Sequence, residues 1–173
     1  LKAVKVLHNA GLLHLDISPD NIMIADTIKL IDFGAVGKAG EKRKGSLWVR
    51  NGYSPPEQHA RQAILDCPTD LYAVGAVLYE ILTGVRPPVS LLRIDDDTLA
   101  APQELRGDIS DDMNQILLKA MAVRPEDRYQ SADEMEEALL RGSDAGEQIK
   151  KALLAAAAAV LVLAVTALLT ELT

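Results

Sequence analysis

Residues 14–34 constrain the fold more than any other part of the sequence, because two short apolar runs lie there between two polar clusters. The runs 22–24 and 28–31 are rich in isoleucine and are separated by three residues, which predicts a β-hairpin. In an antiparallel pair the two outer ends lie side by side. We therefore expect Asn21, just before the hairpin, and Asp32, just after it, to converge.

Three side chains of this segment suit phosphoryl transfer. Transfer of a phosphoryl group to a hydroxyl needs a carboxylate that orients the hydroxyl and accepts its proton, and it needs oxygen ligands that hold Mg²⁺ against the phosphates. Asp16 suits the first role, whereas Asn21 and Asp32 suit the second because Mg²⁺ binds through oxygen donors. Each residue alone would more often be a loop cap, so the prediction depends on all three together.

Composition limits the class of protein. With 173 residues the chain can bury one hydrophobic core, so we expect a single globular domain. The net charge of −7 argues against nucleic-acid binding, which usually requires a basic face. The single cysteine, Cys67, excludes an internal disulfide and a Cys-based zinc site. We interpret it as a small buried apolar residue.

Apolar residues recur at helical spacing in four segments, which predicts a mainly α fold with one short hairpin. The second segment is apolar on most faces and should be buried at the centre, with Thr69 or Asp70 as its N-cap and Gly84 as its stop. Ser131 and Glu134 match a capping box at the start of the fourth segment. The four segments are 1–10, 70–82, 110–123 and 131–140.

Residues 35–51 are polar and basic, which predicts a loop that ends at Pro55-Pro56. We interpret its basic cluster, Lys42-Arg43-Lys44, as solvated loop residues, and the alternative is that the cluster binds an acidic substrate. The first predicted helix, over residues 1–10, has no capping residue before it, because Leu1 already lies inside the helical pattern. We therefore expect the chain to be part of a longer protein.

An apolar run near the C-terminus predicts a membrane span. Residues 152–169 contain no charge, and at about 1.5 Å per residue they extend about 27 Å, close to the thickness of a bilayer core. We predict a single transmembrane helix over 152–170, preceded by a linker over 142–151. Lys150 and Lys151 favour a cytoplasmic location for the preceding domain. The alternative is a buried core helix, since eight of the 18 residues are alanine.

Five motifs in order resemble those of the eukaryotic-like protein kinases, over residues 1–141. Residues 14–21 resemble the catalytic loop of that family, and Asp32-Phe33-Gly34 resembles its magnesium-binding motif. The other three are Pro56-Glu57 at the end of the activation segment, Asp70 with Gly75 in a buried helix, and Arg124-Pro125 with Arg128. With the apolar run included, the chain is similar to bacterial membrane-anchored serine/threonine kinases.

This resemblance implies a kinase C-terminal lobe over 1–141 that uses ATP and Mg²⁺ to phosphorylate a protein substrate. It implies that Asp16 accepts the proton and that Asn21 and Asp32 hold the metal and the nucleotide. The remaining family positions are implied to be structural: Asp70 binds the catalytic-loop backbone, His14 and Phe33 stack beside Gly34, and Glu57 and Arg128 form a buried ion pair. It fixes no oligomeric state.

Departures from the family pattern support other functions. Leu15 replaces an arginine that binds a phosphorylated activation loop, and Ser18 replaces a lysine that neutralises the transferring phosphate. The chain also contains no Gly-rich loop, strand lysine or helix glutamate, so we expect it to be inactive alone. The alternatives are a pseudokinase or truncated membrane-bound interaction module and, less well supported, a small-molecule kinase of the same fold.

Overall fold

The computed structural model describes residues 1–42, 48–142 and 146–155, in which α-helices predominate over two small antiparallel sheets. This confirms the prediction of a mainly α fold. Up to residue 142 the α-helices are α1 (Lys2–Asn9), α2 (Cys67–Thr83), α3 (Pro102–Leu105), α4 (Asp111–Ala120) and α5 (Ala132–Arg141). The strands are β1 (Leu12–Leu13), β2 (Ile22–Ile24), β3 (Ile28–Leu30) and β4 (Gly37–Lys38). Short 3₁₀ turns cover Pro19–Asn21, Pro56–His59, Ser90–Arg93 and Pro125–Asp127.

Helix α2 is the central helix, as its apolar composition predicts, but it begins earlier than expected. Its N-cap is Asp66, whose side chain accepts a hydrogen bond from the backbone of Cys67, so the prediction of Thr69 or Asp70 as N-cap is wrong. Pro68 is compatible with the first turn because the backbone N–H there has no helical partner. Gly84 ends the helix in the left-handed conformation, as predicted, with φ of 75°.

Helices α4 and α5 each begin one residue after the start of the predicted segment, and Ser131 is the predicted cap of α5. The side chain of Ser110 accepts a hydrogen bond from the backbone of Met113, and that of Ser131 accepts one from Glu134. The predicted capping box is only half formed, because the Glu134 carboxylate accepts from the backbone of Gln130 instead of Ser131. Glu134 also pairs with Lys119 of α4, and this ion pair joins the two helices.

The main core lies between α2, α4 and α5, and the packing of α2 against α4 is close at Gly75. A Cβ atom added to Gly75 would lie 2.7 Å from Cβ of Ala120 and 3.1 Å from Cγ of Met121. Both of these neighbours are completely buried. Gly75 is therefore required by helix packing and not by its backbone conformation.

The hairpin of β2 and β3 is confirmed, with Ile22 opposite Leu30 and Ile24 opposite Ile28. Its open end is extended by one more bond, because the backbone N–H of Ile31 donates to the carbonyl of Asn21 at 2.9 Å. A second pairing was not predicted: β4 lies within the expected loop 35–51 and pairs with β1. Residues 43–47 of that loop lie outside the described residues.

Residues 146–155 are helical, so the predicted linker 142–151 becomes a helix from residue 146 onward. Ala152 is buried in a cluster that contains Leu82, Ile109, Met113 and Leu117. Of the helices within the described ranges, none combines the length and apolarity needed to cross a membrane. From residue 156 onward, the predicted span 152–170 lies outside those ranges.

We expect Gly75→Ala to destabilise the protein by about 1–3 kcal/mol, because the added methyl group must force α2 and α4 apart. Intrinsic helix propensity alone would predict that the substitution stabilises the protein, because alanine favours a helix more than glycine does. Gly146→Ala is a matched control, since Gly146 is also helical but a Cβ atom there has no neighbour within 4 Å. Urea unfolding of both variants checks this. Equal effects from the two substitutions would contradict the packing explanation.

Candidate active site

The Asp70 carboxylate holds the catalytic-loop backbone. Its Oδ2 accepts from the backbone N–H of His14 at 2.8 Å, and its Oδ1 accepts from that of Leu15 at 2.9 Å. His8 Nε2 lies 3.0 Å from Oδ2. Asp70 and His14 are almost completely buried, and Asp70 lies in the first turn of α2, where the helix dipole stabilises a negative charge. The contacts match the scaffold role that the family resemblance implies for Asp70.

Two residues of the site have a left-handed backbone although neither is glycine. Leu15 has φ of 64° and Asp32 has φ of 61°. Such a conformation costs on the order of 1–3 kcal/mol and persists only where neighbouring groups hold it. Leu15 is held from both sides, since Asp70 binds its N–H and the Gln58 amide donates to its carbonyl at 2.6 Å. This backbone directs the next residue, Asp16, into the site.

Asp16 and Asn21 are brought together, as the phosphoryl-transfer pattern requires. The Asn21 amide nitrogen donates to the backbone carbonyl of Asp16 and to its Oδ2, both at 2.8 Å. Both residues are buried. Because Asn21 uses its nitrogen for these bonds, its side-chain oxygen is the atom suited to a metal ion.

Asp32 follows the hairpin, and its Oδ1 accepts from the backbone N–H of Gly34 at 3.1 Å. Next to it, Phe33 packs edge-on against His14 with ring centroids 5.2 Å apart, although Phe33 is half exposed. The described ranges contain no cluster of three His, Cys, Asp or Glu that could hold a metal. Asn21 and Asp32 nevertheless fit Mg²⁺ that arrives with a nucleotide, because phosphate and water oxygens complete its octahedron.

Arg50 is a site residue that sequence analysis missed. Its Nε donates to Asp16 Oδ1 at 2.6 Å, its Nη2 lies 3.2 Å from Asp16 Oδ2, and its Nη1 donates to Asp20 at 2.8 Å. The hydrogen bond to Asp16 is the main reason that the pKa of Arg50 is raised. In the sequence Arg50 is one basic residue in a polar loop, 34 positions from Asp16, and no local pattern links the two.

Glu57 and Arg128 form a two-point ion pair with N–O distances of 2.7 and 3.0 Å. The side chain of Arg128 is completely buried and also donates to the backbone carbonyls of Ala122 and Val123. Thr69 of α2 donates to the same Glu57 carboxylate at 3.1 Å. This network fixes the end of the activation segment to the helical core.

The matched family model is that of the protein kinase domain, which covers residues 1–140. The chain belongs to the protein kinase family. Curated relatives of this chain include a probable serine/threonine-protein kinase of Clostridium acetobutylicum, which is 39% identical over an alignment of 145 residues that covers 78% of this chain and 22% of that protein. Another is PknB of Mycobacterium leprae, 38% identical over 81% of this chain and 24% of that protein. The part of this chain that matches thus covers less than a quarter of the length of these relatives.

Solved kinase structures agree with this fold. The structure titled PpkA-294 apo form is 37% identical, superposes with a TM-score of 0.66, and is matched over 80% of this chain and 50% of its own. Titin kinase with its flanking domains gives a TM-score of 0.67 at 22% identity, covering 86% of this chain and 28% of that one. The second likeness shows the fold alone.

We expect Arg128→Met to destabilise the protein by about 3–5 kcal/mol, because Glu57 would keep the hydrogen bond from Thr69 but lose the cation that balances its charge in a mostly buried position. Arg141→Met is the matched control: Arg141 pairs with Glu137 on the surface of α5, and its loss should cost less than about 0.5 kcal/mol. Denaturant unfolding measures both. A small effect of Arg128→Met would show that the pair does not hold the segment.

Proposed function

We propose that the chain is the C-terminal lobe of a serine/threonine protein kinase that transfers the γ-phosphoryl group of ATP to protein hydroxyls. The observation that carries this proposal is the contact between Asp16 and Asn21, on a loop held by Asp70. A proton acceptor and a metal ligand are thereby held together before any substrate binds. The serine/threonine kinases named above support the choice of acceptor.

Each residue has a separate role in this reaction. The acceptor hydroxyl oxygen forms a bond to the γ-phosphorus while the bond to the bridging oxygen breaks, and that electron pair leaves with ADP. Asp16 orients the hydroxyl and takes its proton. The side-chain oxygens of Asn21 and Asp32 would hold Mg²⁺, and the ion would neutralise charge on the phosphates. The edge contact of Phe33 with His14 keeps the Asp32 turn against the catalytic loop.

A second candidate is a pseudokinase that serves as an interaction module. Leu15 and Ser18 favour it, because neither can supply the positive charge that the corresponding family residues provide. The pairing of Asp16 with Asn21 favours the enzyme, since an interaction module needs neither a proton acceptor nor a metal ligand. Transfer of phosphate from ATP separates the two candidates.

We expect Asp16→Asn to lower phosphate transfer by the full-length protein by about 10²–10⁴-fold, because asparagine cannot accept the proton. Transfer from γ-labelled ATP to a protein acceptor, with phosphosites mapped, measures this effect. Asp26→Asn, in the hairpin turn, is the matched control and should leave the rate unchanged. Residues 1–173 alone should transfer no phosphate, because they contain no Gly-rich loop. Equal rates for the wild type and Asp16→Asn would overturn the proposed enzyme.

We further propose that the C-terminal apolar run anchors the kinase in the cell membrane through a single helix, with the lobe in the cytoplasm. The absence of charge over 152–169 supports the span, and Lys150 and Lys151 support the orientation. Ala152 is packed against the lobe, so the membrane-embedded part would begin after it.

Two arginines introduced at Leu161 and Leu163 should move the full-length protein from the membrane pellet to the supernatant, because each charge near a helix centre costs about 2.5–3.5 kcal/mol on insertion scales. Leu140→Arg is the control, since Leu140 is 79% exposed on the lobe and its change should leave the protein in the pellet. Alkaline carbonate extraction separates the fractions. Release of the wild type by carbonate would contradict the anchor.

A further inference from the structure

Arg50 comes from the activation segment but its guanidinium group lies on the catalytic loop. Two of its nitrogens contact the two oxygens of Asp16, and the third donates to Asp20. A guanidinium group matches a carboxylate in this two-point geometry, which fixes the orientation of the carboxylate as well as its charge. Because Asp16 is only 8% exposed, the pairing also offsets the cost of burying its charge.

The catalytic loop itself provides no positive charge at position 18. Ser18 is completely buried, and its hydroxyl has no hydrogen-bond partner within the described part of the chain. Asp16, Asp20 and Asp32 meanwhile bring three carboxylates to this region. Coulombic interaction with Asp20 and Asp32 contributes to the raised pKa of Arg50, after its hydrogen bond to Asp16. A nucleotide would add further negative charge.

The backbone of Arg50 is fixed in a turn, so its side chain approaches Asp16 from a defined position. Its N–H donates to the Ser54 hydroxyl at 2.9 Å, and its carbonyl accepts from the N–H groups of Tyr53 and Ser54. The Ser90 hydroxyl in turn donates to the backbone carbonyl of Ser54 at 2.7 Å. Gly52, with φ of 88°, suits this turn because a Cβ atom added there would lie 2.9 Å from the Pro87 carbonyl oxygen.

We propose that Arg50 is a positioning residue for Asp16 and supplies, from the activation segment, the positive charge that Ser18 leaves out of the catalytic loop. The proposal rests on the proposed phosphoryl transfer. Asp16 Oδ2 accepts from both Asn21 and Arg50, whereas Oδ1 accepts from Arg50 alone among the described residues. Because a carboxylate oxygen has two acceptor sites, Oδ1 can bind Arg50 and still accept the proton of the substrate hydroxyl. The guanidinium group then faces the negative charge that develops during transfer.

Arg50→Ala in the full-length protein should lower kcat by about 100-fold, with KM for Mg-ATP changed less than about threefold, because the charge acts mainly in the transition state. Added ethylguanidinium should raise kcat of the Arg50→Ala variant at least about tenfold. The neutral analogue ethylurea should leave it unchanged. Arg141→Ala is the matched control and should leave kcat unchanged. Thermal unfolding accompanies each variant.

Two kinetic results would overturn the proposal, and a binding measurement provides a third. A rise in kcat for Arg50→Ala would show that Arg50 blocks Asp16, and a loss that neither additive restores would show a structural role alone. If the wild type transfers no phosphate to protein, binding of Mg-ADP with aluminium fluoride decides the matter. If Arg50→Ala weakens binding of Mg-ADP with aluminium fluoride more than it weakens binding of Mg-ADP alone, that result would support the role of Arg50 and overturn only the protein-kinase function. Equal losses would overturn the proposal for Arg50.

Discussion

The rest of the site depends on the hydrogen bonds that the buried Asp70 carboxylate accepts from the catalytic loop. This carboxylate satisfies two consecutive backbone N–H groups, those of His14 and Leu15, which would otherwise be buried without partners. An unsatisfied buried donor costs about 1–3 kcal/mol, and here the same bonds also hold Leu15 in its left-handed conformation. Without that conformation Asp16 would point elsewhere. Within the described residues, one side chain of the buried helix α2 thus holds two consecutive backbone groups of the catalytic loop.

A second set of contacts attaches the activation segment to the same core. Arg128 holds Glu57 at its end, and Gln58 donates both to the Leu15 carbonyl and to the Trp48 carbonyl at 2.6 Å. Gln58 therefore links the catalytic loop directly to the segment that carries Arg50. The loop and the segment share one buried hydrogen-bond network, and a displacement of either one would leave polar groups of the other unpaired.

Local patterns predicted the elements of this fold well, and long-range contacts account for what they missed. The hairpin and the cap at Ser131 depend on residues within a few positions of one another. The pairing of β1 with β4 and the contact of Arg50 with Asp16 join segments far apart in the sequence, where periodicity carries no information. The early start of α2 was missed for a different reason, since a proline near a helix start is compatible with two N-cap positions.

Under the proposed function, Arg50 gives the activation segment a direct effect on Asp16. A buried carboxylate that loses its cation becomes much less favourable, so Asp16 stabilises the position of the segment as much as Arg50 stabilises that of Asp16. Leu15 cannot bind a phosphate, so a modified activation loop has no partner at that position. The ion pair between Arg50 and Asp16 would then couple the position of the activation segment to the orientation of the proton acceptor. This coupling requires no modification of the loop, because both of its charges are already part of the chain.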